Sequence, residues 1–133
     1  MATAERRPIG LPDEVQRFPG GTLERITIGG SVVGRLTLQP GWRWSAHVQP
    51  GAGTEWCETP HSQFHLAGVL HVRQRDGVEF DARPGDVSVL PAGHDAWVVG
   101  DEPVVVFDWS GASGYGSGVD EAALQRRSNP RPR

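Results

Sequence analysis

The sequence predicts an all-β chain, a single small barrel of short strands, and three observations carry that expectation. Gly and Pro are abundant, 18 and 11 of 133 residues, and they punctuate short apolar runs instead of forming one low-complexity block. The runs fall at 22–28, 31–38, 42–48, 62–73, 78–82, 87–90, 96–99 and 104–109, the spacing of a sandwich or barrel. Helical pattern is confined to 120–127.

Residues 1–20 carry Pro8, Pro12 and Pro19 and read as an N-terminal arm, partly ordered against the barrel. The barrel itself is expected over 21–110. Within it Asp76-Gly77, between Val72-Arg73 and Val78-Glu79, is the strongest hairpin signal, because a type I′ turn needs positive φ at its two central residues. Residues 42–48 read as a strand with Trp42 and Trp44 on one face and Arg43, Ser45 and His47 on the other; the tryptophans are expected in the core or at a dimer contact. Beyond 110, a Gly/Ser-rich connector leads to a short helix at 120–127, with Asp120 as its N-cap and Arg126 and Arg127 near its end. Residues 111–133 are thus expected to be a flexible tail carrying that helix.

Composition restricts the partners. The formal net charge is -3 and no basic block interrupts the central sequence, so nucleic acid is not an expected partner. No apolar run approaches the roughly 18 residues of a membrane span, and residues 1–10 lack the apolar centre of a signal peptide. The single cysteine forms no internal disulfide and suits a reducing compartment, so the expected location is the cytoplasm. No Gly-rich phosphate loop and no serine on a sharp elbow are present, which removes nucleotide binding and triad hydrolysis.

Two segments carry a family resemblance. Gly85, Pro91 and Gly93 match the second motif of the cupin superfamily, a glycine, five residues, proline, any residue, glycine, two residues, histidine, three residues and asparagine. The family histidine falls on Ala96 and the asparagine on Gly100; this chain places its histidine at His94, one pleat away. Positions 94 and 96 of a strand share a face. The first motif, anchored with its final glycine on Gly68, puts His61 at the family glutamate, Cys57 at the second histidine and Glu55 at the first. The stretch from Pro91 through Gly93-His94-Asp95-Ala96-Trp97 to Pro103 also resembles a signature of small stand-alone bacterial cupins.

The resemblance, over about residues 34–110, implies a single-domain jelly-roll-like barrel and a homodimer. It also implies a divalent transition metal held by Cys57, His61, His94 and Glu55. Thiolate and imidazole favour zinc, with iron, copper or nickel as other choices. The expected function is a metal-dependent enzyme acting on a small organic molecule in the barrel, as a lyase, isomerase, cyclase or oxygenase. His65 or Glu55 would move a proton, and Gln63, Trp97 and Asp108 would line the pocket. The alternative is a metal-free module that binds or senses a small molecule, with Cys57 a small buried hydrophobe and His61 a satisfied core histidine.

Two warrants conflict along residues 61–66. His61, Gln63 and His65 share one face and Phe64 and Leu66 the other. Bare periodicity turns the polar face to solvent, whereas the motif turns it into the barrel; the motif is preferred. Asp108 is the odd charge in an apolar run, either a strand end or a pocket carboxylate. Asp95 either fixes the His94 tautomer or caps a turn.

Overall fold

A computed structural model describes residues 3–110 of the chain. Among the described residues nine strands form two antiparallel sheets. The six-stranded sheet has the order β1-β2-β3-β9-β4-β7, from Glu14–Phe18, Gly21–Ile28, Ser31–Leu38, Val104–Asp108, His61–Ala67 and Val87–Leu90. The three-stranded sheet has the order β6-β5-β8, from Glu79–Ala82, Val69–Gln74 and His94–Val99. Two one-turn helices, α1 (Trp44–His47) and α2 (Gln49–Ala52), lie between β3 and β4.

The core fills the space between the sheets, and alternation delivers it. Leu36 and Leu38 of β3, Leu70 and Val72 of β5, Ala96 and Val98 of β8, and Val104 and Val106 of β9 all point inward and are buried. At roughly 1.5–3 kcal/mol for each large apolar side chain buried, these rows are the main stabilising term.

Four differences from the sequence reading have physical causes. The arm over residues 1–20 contains β1, paired along its length with β2 from Glu14↔Arg25 to Phe18↔Gly21. The buried Arg25 guanidinium anchors it through Gln16 and Glu14, a cross-strand signal that apolar periodicity does not register. Residues 42–48 are not a strand: the chain turns into α1, where Ser45 N–H donates to Asp95 Oδ1 at 3.1 Å, and then α2, which has Pro50 in its first turn and ends on Gly53 at φ +76. Helices this short have no period to read.

The run 62–73 splits at Gly68, where the chain leaves the large sheet for the small one. Gly68 sits at φ +73, and a Cβ there would meet the Pro103 carbonyl oxygen at 2.4 Å, so only glycine fits. The Asp76-Gly77 hairpin is present, but its loop has three residues. Gly77 N–H donates to Gln74 O at 3.0 Å, Gln74 N–H to Val78 O at 2.8 Å, and Val78 N–H to the Asp76 carboxylate at 3.0 Å. The side-chain bond to Val78 favours this turn followed by a positive-φ glycine over the two-residue I′ form. The expected tail and helix at 120–127 lie outside the described residues.

Candidate metal centre and adjoining cavity

The inward row of β4 is polar: His61, Gln63 and His65 are buried, while Phe64 and Leu66 face outward and are exposed. Burial of three polar side chains in a row calls for partners, and the sheet supplies two of them. His65 Nε2 lies 2.8 Å from Ser88 Oγ on β7, and His61 Nδ1 lies 2.5 Å from Asp108 Oδ2 on β9. Asp108 ends the inward row Val104, Val106, Asp108, so the odd charge of that strand points inside, 2% exposed.

Cys57 reaches the same place by a different route. Bends over residues 54–56 bring the chain to an isolated antiparallel bridge between Cys57 and His94, closed by Cys57 N–H to His94 O at 2.7 Å. Gly93 N–H also donates to Cys57 O, at 2.8 Å. The bridge fixes Cys57 beside the first residue of β8, and His94, Ala96 and Val98 then follow one another inward. His94 therefore occupies the interior although it stands one pleat before the family position.

Cys57, His61 and His94, exposed by 1%, 3% and 3%, each offer a ligand atom, and the three atoms lie within 4.8 Å of one another. Cys57 Sγ is 3.9 Å from His61 Nε2, and the two imidazoles meet edge to face at 5.3 Å between centroids. Both rings have Nδ1 engaged, His61 by Asp108 and His94 by the Pro91 carbonyl at 2.9 Å. A carbonyl and a carboxylate accept, so Nδ1–H of each ring is the donor and Nε2 is the nitrogen turned away from that partner.

Burial, reinforced by neighbouring His61, pushes His94 down to about 3 against the opposing pull of Pro91 and Asp108. His94 is thus neutral across the ordinary pH range, the form that coordinates a metal. With metal–sulfur bonds near 2.3 Å and metal–nitrogen bonds near 2.0–2.1 Å, a 3.9 Å sulfur–nitrogen separation suits two ligands of one ion. Three N/S donors with outer-sphere partners in place fit a transition metal with an open coordination position.

A narrow cavity of ≈ 20 Å³, roughly the room of one ordered water, adjoins the two histidines. Trp42, Trp44, Gln63, Leu36, Leu38 and Leu90 form much of its wall. The expected pocket residue Gln63 is therefore in place.

Other expected residues stand elsewhere. Glu55 is exposed and lines a separate surface depression with Ser45, Gln49, Trp56, Arg73 and Asp95, because the bends after Gly53 break the alternation that would have aligned it with Cys57. Trp97 alternates to the outer side of β8, with the Arg43 guanidinium 3.8 Å above its ring and His71 at 4.6 Å, so it does not line the cavity. His65 is buried but engaged by Ser88, outside the cavity wall; burial lowers its pKa against a weaker pull from Asp86. Asp95 caps α1 instead of fixing a histidine. Trp42 and Trp44 were expected in the core and are buried there, yet they also line the cavity. Their place before a Pro50 and Gly53 punctuated turn was the available signal.

No protein-family model matches the sequence, and no curated protein matches it. Solved structures do. A cupin-like protein from Thermotoga maritima is 16% identical with a TM-score of 0.51, covering 68% of this chain and 67% of its own. The polyketide cyclase RemF from Streptomyces resistomycificus is 17% identical with a TM-score of 0.55, covering 80% of this chain and 78% of its own. KdgF from Halomonas sp. is 18% identical with a TM-score of 0.50, covering 73% of this chain and 87% of its own. At these identities the likeness is one of fold.

Proposed function

From a chain with the cupin fold, we propose a metal-binding protein that acts on a small organic molecule presented to Cys57, His61 and His94. The carrying observation is that both buried imidazoles are held by Nδ1 while a ligand atom of each and the Cys57 sulfur lie within 4.8 Å of one another. Zinc is the first choice for one thiolate and two imidazoles, with iron, copper or nickel as alternatives. A bound divalent ion supplies Lewis acidity toward a substrate oxygen.

The chain's own residues do the rest. Asp108 orients His61 and holds its tautomer, Pro91 does the same for His94, and Trp42 and Trp44 keep bulk water from the site. Glu55 and His65 do not line the cavity, so the proton-moving roles expected of them are not carried into this proposal. A solved structure of similar fold is described as a polyketide cyclase and another as a DMSP lyase, which supports cyclase or lyase chemistry on small molecules; the isomerase and oxygenase readings rest on the family resemblance.

Elemental analysis of protein purified without a nickel column tests the proposal. About one transition-metal ion per chain is expected; folded, metal-free protein that binds its ligand fully supports the sensing alternative instead. We also propose a homodimer, supported by Phe64, Leu66, Val87 and Val89, which lie exposed on the outer side of β4 and the edge strand β7. A monomeric mass at micromolar concentration overturns that. Among the described residues no helix is long and apolar enough to cross a membrane. The reducing cytoplasm suits Cys57, which is in no disulfide.

A further inference from the structure

Glu55, Trp56 and Asp95 are sequence neighbours of the cluster but stand outside it. With Ser45, Gln49 and Arg73 they line a surface depression of ≈ 290 Å³. Set against the ≈ 20 Å³ beside the two histidines, that is room for a small organic molecule, near the lower bound of common ligand sites. Its walls are held in place. Asp95 accepts from Ser45 N–H at 3.1 Å and from Ala96 N–H at 2.9 Å, which joins β8 to α1. Gln49 Nε2 donates to Glu55 O at 3.1 Å, which joins α2 to the bends, and Thr54 Oγ1 donates to Trp56 O at 2.7 Å. Walls already fixed to one another lose little freedom when a guest arrives.

Two opposite charges on these walls are unmatched. Arg73 stands opposite Asp95 in the β5–β8 ladder, but Asp95 is engaged by the Arg43 guanidinium, at 3.5 Å. Among the described residues the Arg73 guanidinium has no hydrogen bond or ion pair, and neither has the Glu55 carboxylate. The two do not pair with each other. A simple anion would meet Arg73 and leave Glu55 repelling it; a simple cation would reverse the fault. A guest with one charge of each sign meets both and brings no net charge. Trp56, half-buried in the same wall, adds an aromatic surface of the kind that receives alkylammonium groups.

We infer that this depression is a second ligand site, separate from the metal cluster, for a small zwitterion. The carboxylate of the guest meets the Arg73 guanidinium, and its alkylammonium end lies against Glu55 and the Trp56 indole. None of the lining residues is a ligand of the cluster, so this site stands apart from the proposed metal.

The test titrates three probes of similar shape into the ¹⁵N-labelled full chain: zwitterionic glycine betaine, cationic choline and anionic tert-butylacetate. Betaine should shift the Trp56 indole and the Arg73 signals saturably while the indoles of Trp42, Trp44 and Trp109 stay still. Choline and tert-butylacetate, which each lack one charge, should bind at least ~10-fold more weakly, the share of one charge-assisted contact. Arg73→Gln should weaken betaine by about that factor and leave choline unchanged; Glu55→Gln should weaken betaine and choline but not tert-butylacetate. Both side chains are exposed, so neither substitution disturbs the core. Choline or tert-butylacetate binding as tightly as betaine overturns the inference. So does the absence of any saturable shift, which would leave both charges to water. The probe comparison in the unsubstituted protein decides the matter even if a variant fails to fold.

Discussion

His61 on β4 and His71 on β5 each hold a carboxylate on Nδ1, Asp108 at 2.5 Å in one case and Asp81 at 2.7 Å in the other. There the likeness stops. The second nitrogen of His71 is also taken, by Glu79 Oε1 at 2.7 Å, and its ring is partly exposed beside Trp97. The Nε2 of His61 instead meets the Cys57 sulfur at 3.9 Å, in the interior, with the His94 ring edge to face beside it. A histidine clamped at both ends by carboxylates is held as an imidazolium and has no lone pair to give a metal. The difference lies in burial and in what meets the second nitrogen, a thiol and an imidazole in one cluster and a second carboxylate in the other.

The largest effect should come from removing the clustered ligand atoms. A Cys57→Ala, His61→Ala double substitution is expected to take bound metal from about one equivalent to background in elemental analysis, while His71→Ala leaves it unchanged; loss of metal in the latter would erase the distinction between the clusters. Next in size is the outer partner. Asp108→Asn should weaken metal affinity by roughly 10–100-fold in a chelator competition, and Asp81→Asn should not alter it.

A smaller, pH-dependent effect belongs to the surface cluster. Burial pulls the His71 pKa down, but the Glu79 and Asp81 carboxylates outweigh it and the net shift is upward. The other charges nearby are Arg83, on Asp81 at 3.3 Å, and Arg43 across the Trp97 ring. A raised folded pKa means stability fully present below the unfolded value of about 6.5 and lost as pH rises through the folded value. Urea denaturation of the native protein against His71→Gln should therefore differ by up to ~1 kcal/mol at pH 5.5 and converge at alkaline pH. Divergence that grows with pH would show that the imidazolium does not hold this cluster. Smallest of all, Arg43→Ala should cost about 0.5–1 kcal/mol through the lost contact with Trp97 and leave metal content untouched.

Much of the fold was legible because strand alternation and turn residues are local. The runs at 22–28, 31–38 and 87–90 coincide with strands to within a residue, since Gly29-Gly30 separates the first two and Pro84-Gly85 precedes the third whatever the tertiary context. The helical turn after Arg43 was not legible, because the Asp95 that caps it is remote in sequence. Within the site, Cys57, His61 and His94 were legible from motif spacing. Glu55 was misplaced because bends carry no periodic signature, and Trp97 because its strand parity was overridden by its closeness to His94 in the chain. Asp108 was visible only as an oddity; its partner His61 lies too far along the sequence for any local rule to pair them.

That separation has a kinetic consequence. His61 and Asp108 are 47 residues apart, and Cys57 meets His94 only across a bridge that joins the connection before β4 to the far edge of the small sheet. Non-local contacts close late and slowly, after loop-closure entropy has been overcome. The ligand set therefore comes together only when both sheets are in place, so a coloured ion such as cobalt would report the final closure of the chain and leave earlier collapse dark.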